Sequence, residues 1–213
     1  MITEFDPERL ESFLRSRLPG ARGTMRIERV GGGQSNPTFF VSFDDRRLVL
    51  RKKPPGVLLP SAHAVDREFR ILDALRDSGV PVPNAVLYCD DVTIVGTPFY
   101  LMDRLEGRIL TDPALPGLSP AERHALVLSM AQTLASLHRI DWAAHGLADF
   151  GRPGEYFRRQ IARWTKQWDL SRLSENPDID RLIAWLPEHI PESDLCTIAH
   201  GDFKLGNLMI HPT

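Results

Sequence analysis

The eight residues His200-Gly201-Asp202-Phe203-Lys204-Leu205-Gly206-Asn207 carry more structural information than any other segment of this 213-residue chain. A β-like apolar run, 195–199, leads into them, and Asn207 follows Asp202 by five positions. Upstream the texture is helical. Ile179, Leu182, Ile183 and Leu186 share one face, and Phe157, Ile161, Trp164 and Trp168 recur at spacings of four, three and four. Val127, Met130, Ala131, Leu134 and Leu137 lie behind the capping box Ser119-Pro120-Ala121-Glu122. Before Gly107 the pattern changes to strands, at 24–30, 38–43, 47–51, 85–89 and 93–103, with Asp44-Asp45 and Asp90-Asp91 as turns. Two helices interrupt that half: 6–18, and 61–76, which Ser61 can cap and which Pro81 and Pro83 keep from continuing. Strands early and helices late give an α+β chain of two lobes, 1–103 and 104–213.

Composition narrows the class without naming an activity. Hydrophobic residues make up 42% and charged residues 25%, as in ordinary globular domains. Lys+Arg 26 against Asp+Glu 28 leaves a formal charge of −2, which gives no global attraction to nucleic acid or to an anionic membrane. No apolar run reaches the roughly 18–20 residues needed to span a bilayer, and the acidic start has no signal-peptide pattern. Cys89 and Cys196 form no disulfide framework and no metal-ligand spacing, so a cytoplasmic setting is expected.

Three segments carry chemistry. In Gly31-Gly32-Gly33-Gln34-Ser35-Asn36, between two expected strands, Gly32, Gly33, Gln34 and Ser35 could offer backbone N–H groups to a phosphate. A Walker loop would need G-K-S/T before a helix, and a dinucleotide fingerprint would also need a helix next. A flap laid over nucleotide phosphates is left, with a plain hairpin turn as the bland reading. In the strand 47–51, alternation puts Val49 and Arg51 on one face, one to roof a base and the other to reach phosphate. Glu68, on the apolar side of the following helix, is costly to bury unless it finds a cation, which Arg51, Lys52 or Lys53 could supply; a solvated Glu among the charges of D-R-E-F-R is the bland reading. In the third segment, a carboxylate at Asp202 can orient and deprotonate an attacking hydroxyl. The Asn207 amide oxygen is a hard donor suited to Mg2+. His200 reads as a loop-stabilising partner rather than a proton shuttle. Trp164 and Trp168 read as core, and Arg158, Arg159 and Arg163 as a solvated face.

With these segments assembled, the chain resembles the aminoglycoside phosphotransferase family, which has a protein-kinase-like fold. It is most similar to the kinase domains also found fused to acyl-CoA dehydrogenases. The likeness rests on GGGQSNPTFFV (31–41), LVLRKKPPGVLLPSAHAVDREFRIL (48–72), TPFYLMDRLEGRIL (97–110), YFRRQIARWTKQW (156–168) and HGDFKLGNLMIHP (200–212). It implies an ATP-dependent kinase acting on a hydroxyl of a small molecule, with ATP and Mg2+ as cofactors and a hydroxyacyl-CoA-like acceptor ahead of an antibiotic. Asp202 would be the base, Asn207 a metal ligand, and Arg51, paired with Glu68, would replace the phosphate-binding lysine. Backbone near Met102, Asp103 and Leu105 would hold the adenine edge. Two departures stand out: Gly206 where the subgroup more often has Asp, and no carboxylate after Asn207 to act as the family's second metal ligand. The expectation is therefore a truncated kinase of little or no turnover, with uncovered apolar surface that invites self-association. A non-catalytic nucleotide-binding module is the alternative, and a pure interaction domain a third reading.

Overall fold

The computed structural model describes residues 4–31, 36–56, 63–192 and 195–211. Helix α1 (Pro7–Arg17) begins where Asp6 accepts a hydrogen bond from the Glu8 N–H at 2.9 Å, with Pro7 fitting the first helical position. Its Leu10 and Leu14, one turn apart, are fully buried. They pack on a five-stranded antiparallel sheet of strands β1 (Arg26–Arg29), β2 (Thr38–Ser42), β3 (Arg47–Lys52), β4 (Ala85–Cys89) and β5 (Phe99–Asp103). The strand order is β1-β2-β3-β5-β4.

The pleat sorts this sheet into two faces. Register places Phe39 opposite Leu50 and Leu50 opposite Leu101, while Val41 faces Leu48. These residues meet α1 in one apolar cluster with Phe99 and Val95. At roughly 1.5–3 kcal/mol per buried large side chain, that cluster is the main stabilising body of the sheet. The opposite face carries Phe40, Val49 and Met102 in one row and Thr38, Arg51, Tyr100 and Tyr88 in the next. Helix α2 (Val65–Leu75) lies on that second face. Its Phe69 ring sits 5.8 Å from Tyr88 and 6.3 Å from Tyr100.

Several local expectations shift. The expected helix at 61–76 is seen from Val65, with Ala64 in the cap position and no side-chain cap; Ser61 lies outside the described residues. The expected strand 93–103 divides into a helical turn α3 (Val92–Val95), capped by Asp91, and β5 beginning at Phe99. Gly96 closes that turn by donating to the Val92 carbonyl, so the β-branched run reads as strand by composition but is bent by its caps. The run 195–199 belongs to no strand.

The chain divides into two compact units, 1–140 with 199–213, and 141–198. In the first, helix α4 (Pro120–His138) starts at the expected capping box: the Ser119 N–H donates to Glu122 at 2.7 Å and the Glu122 N–H to Ser119 at 3.3 Å. Leu137 is its buried residue, whereas Val127 is 57% exposed. In the second, α5 (Tyr156–Ser171) and α6 (Pro177–Trp185) are joined by a short loop. Trp164, expected in a core, is 61% exposed, and Trp168 is half-buried. Helical spacing identifies an apolar stripe but not what covers it. No helix among the described residues is long and apolar enough to cross a membrane.

Lys52 is an ammonium sent into the apolar layer. It stands opposite Phe99, is 3% exposed, donates to the Val95 carbonyl and lies 5.1 Å from the Phe5 ring centre. Burial pushes its pKa below the ordinary lysine value, and the Glu4 carboxylate partly opposes that shift. The unfolded chain therefore holds this proton more tightly than the folded one, and the contribution of Lys52 to stability rises with pH through the interval between the two pKa values. Urea unfolding of wild type and Lys52→Met should show the stability difference moving in favour of wild type as the pH rises toward the ordinary lysine value. A pH-independent difference would contradict the burial of a charged Lys52.

Candidate active site

Period-2 alternation in β3 assigns the basic residues. Lys52 goes to the α1 face, and Arg51 goes to the α2 face beside Val49. There Arg51 Nε lies 3.4 Å from Glu68 Oε2, so among Arg51, Lys52 and Lys53 it is Arg51 that meets this carboxylate. Glu68 is held on both oxygens: Asn36 Nδ2 donates to Oε1 at 2.7 Å and the Tyr100 hydroxyl to Oε2 at 3.0 Å. Burial, then the charge of Glu68, pushes the Tyr100 phenol far above its ordinary pKa, so it stays a donor. Asn36 is 4% exposed and its Oδ1 accepts from His63 Nδ1 at 2.8 Å. Gly32, Gly33, Gln34 and Ser35, expected to cradle phosphate, lie outside the described residues, immediately before Asn36.

The end of β5 forms the next part. Met102 stands opposite Val49 and Ala85. The Asp103 N–H donates to the Asn84 carbonyl at 2.9 Å and the Arg104 N–H to the Arg47 carbonyl at 3.0 Å. These two amides are engaged by neighbouring chain. Arg104 stacks 3.7 Å above the Phe40 ring, adding a cation to the same row. Leu105 is 43% exposed.

The tail of the chain returns to this point. Arg108 and Ile210 exchange both backbone hydrogen bonds, at 2.9 and 2.8 Å. Gly107 makes the approach possible: a Cβ there would fall 2.5 Å from Met209 Cγ and 2.7 Å from the Ile210 oxygen. The loop before this strap carries Asp202. Asn207 Nδ2 donates to the Asp202 carbonyl at 2.9 Å and to its carboxylate Oδ2 at 2.8 Å, and Lys204 Nζ lies 2.9 Å from the same oxygen. Hydrogen bonds from Lys204 and then Asn207, with the positive charge of Lys204 adding to them, hold the Asp202 carboxyl below the ordinary aspartate range. With Nδ2 committed to Asp202, Oδ1 is the remaining acceptor of the Asn207 amide. The Asp202 N–H donates to His200 Nδ1 at 3.3 Å, and the His200 ring meets Phe203 edge-on at 5.3 Å. Gly201, between them, has φ +84, a left-handed turn that glycine adopts without a Cβ clash.

Hydrogen bonds and ion pairs thus gather the sequence candidates into two clusters, Arg51 with Glu68 and His200 with Asp202 and Asn207. Both belong to the first compact unit. Sequence reading did not single out Asn36 as a ligand of Glu68, nor His63, Tyr100, Arg104 or Lys204. Tyr100 had a signal: it precedes Met102 by two positions on the same strand and so shares its face. Asn36 and His63 had none, because 27 residues separate them.

Residues 26–213 match the family model described as the phosphotransferase enzyme family, APH. The chain is 48% identical over 204 residues to acyl-CoA dehydrogenase family member 10 of Mus musculus, covering 95% of this chain and 19% of that protein. Among solved structures, a candidate aminoglycoside phosphotransferase from Ralstonia eutropha superposes with a TM-score of 0.88 at 44% identity, covering 98% of this chain and 61% of that one. The GDP complex of aminoglycoside 2'-phosphotransferase-IIIa shares the fold, with a TM-score of 0.58 at 16% identity over 87% of this chain and 59% of that one. The chain spans about a fifth of the dehydrogenase relative and about three fifths of each solved chain. With a kinase-like α+β fold and a family match over most of its length, the chain belongs to the APH phosphotransferase family.

Proposed function

We propose that this chain carries the ATP-dependent phosphotransferase site of a small-molecule kinase and directs the terminal phosphoryl group of the nucleotide to an acceptor hydroxyl. We also propose a functional lobe boundary at 103/104, inside the first compact unit, and a cytoplasmic setting. The observation that supports this most is the Asp202–Asn207 pair, in which one amide nitrogen donates to both the carbonyl and the carboxylate of Asp202, so that the amide oxygen is left as the hard donor a cation would need.

In this reading Asp202 orients the acceptor hydroxyl and takes its proton, with its carboxylate kept ionised by Lys204 and Asn207. The glycine loop, with Gly32, Gly33, Gln34 and Ser35, and Arg51 hold the phosphates, while Val49 and Met102 flank the base and the Asp103–Leu105 backbone meets its edge. His200 steadies the loop by accepting from the Asp202 amide. The Asn207 amide oxygen is a hard donor and would fit Mg2+, which keeps several waters and takes few protein ligands beside phosphate oxygens. When bound, the ion supplies neutralisation of the charge that develops on the transferring group. Residues 208–213 bring no further carboxylate, so the 213-residue chain is expected to bind nucleotide weakly and to turn over slowly by itself. Exposed Val127 and Trp164 are consistent with apolar surface that self-associates. The acceptor is proposed to be a hydroxylated acyl-CoA, on the likeness to the dehydrogenase-linked relative.

A phosphorylation screen of hydroxylated acyl-CoAs, aminoglycosides and choline-like alcohols, with this chain and with a form extended past residue 213, tests the proposal. Transfer to an acyl-CoA by the extended form is expected, and transfer to none of the three classes would overturn the reading. In that form Asp202→Asn should lower kcat by about 10²–10⁴ with little change in nucleotide affinity. Activity within about tenfold of wild type would remove Asp202 as the base. Because its carboxyl pKa is depressed in the folded state, Asp202 should stay ionised to lower pH than a free aspartate. Carbon-13 NMR of Lys204→Met should show the Asp202 titration midpoint moving up toward the ordinary value, and an unmoved midpoint would contradict the pairing.

A further inference from the structure

We propose that Asn36, aligned by His63, is a positioning residue that keeps the Arg51 guanidinium available to nucleotide phosphates by restraining Glu68. This inference rests on the nucleotide reading of the same site.

The orientation of the Asn36 amide is determined from both ends. Its Nδ2 donates to Glu68 Oε1 at 2.7 Å, and its Oδ1 accepts from His63 Nδ1 at 2.8 Å. Exchanging the two ends would set Oδ1 against a carboxylate oxygen, so His63 must carry its proton on Nδ1. His63 holds a left-handed φ of 60 as it makes this bond, an uncommon conformation for a non-glycine residue. The Asn36 backbone is pinned as well, since its carbonyl accepts from the Thr38 hydroxyl at 2.9 Å. Asn36 therefore fixes the end of the glycine-rich segment to the start of α2 and to Glu68.

The consequence falls on Arg51. Glu68 is tethered at Oε1 by Asn36 and at Oε2 by Tyr100, and it cannot rotate to receive the guanidinium squarely. Arg51 Nε is buried 3.4 Å from Oε2, and no hydrogen-bond partner meets it among the described residues. The pair attracts without closing, and the cation keeps donor capacity for another anion. Without Asn36, Glu68 is free to close on Arg51 and neutralise it. A tether made for stability alone would weaken every ligand of the site alike; one that acts through Arg51 weakens only ligands carrying phosphates.

Isothermal titration of the 213-residue chain with MgATP and with adenosine separates the cases. Asn36→Ala should weaken MgATP about tenfold, the loss of one charge-assisted contact, and leave adenosine unchanged. Placed on Arg51→Ala, it should have no further effect on MgATP. His63→Ala, a milder change at a less buried position, should give a smaller loss of the same triphosphate-selective kind, and it carries the test if Asn36→Ala does not fold. Equal losses for ATP and adenosine, additive effects with Arg51→Ala, or no loss in either variant would overturn the inference while the nucleotide reading stands. Failure of the wild-type chain to bind MgATP at all would overturn the nucleotide reading, and this inference with it.

Discussion

The pleat of β3 is the constraint on which the site depends. Successive side chains of a strand leave on opposite faces, so Arg51 and Lys52, neighbours in sequence, face different environments. Lys52 enters the α1 layer and is tied to the Val95 carbonyl, where its charge is disfavoured. Arg51 meets Glu68 on the α2 layer, in a half-polar setting. A slip of one residue would exchange the two, bury Arg51 among Leu10, Leu14 and Phe39, and leave Glu68 facing the wrong cation. Apolar burial on one face thereby specifies the electrostatics of the other.

The second cluster is held by different means. Asp202 sits on a loop whose shape comes from local hydrogen bonds: its own N–H to His200, the Asn207 amide to its carbonyl and carboxylate, and the left-handed Gly201 between His200 and Asp202. The loop returns to the end of β5 through the Arg108–Ile210 exchange, which Gly107 permits by having no side chain. Sheet and loop thus belong to one compact unit although about a hundred residues of helical chain intervene.

What could be read from the sequence follows from the range of the interactions. Spacing within a segment, as between Asp202 and Asn207, survives in the sequence because both partners share one loop. The capping box at Ser119 and the Asp44-Asp45 hairpin turn were legible for the same reason. Composition misread Val92–Val95, since β-branched residues favour strands until Asp91 and Gly96 cap them into a turn. The apolar stripe of α5 was visible, but the exposure of Trp164 was not, because periodicity records a face and not its cover. The Asn36–His63 bond depends on the folded sheet bringing two distant segments to Glu68, and nothing in either segment announces it.

The central claim is that both clusters serve one nucleotide. Proton–nitrogen correlation spectra recorded during a MgATP titration of the 213-residue chain test it most directly. The amides of Gly201 and Asn207 and those of Asn36 and Arg51 are expected to shift along a single binding curve. Movement of one group without the other, or two curves with separate midpoints, would contradict it.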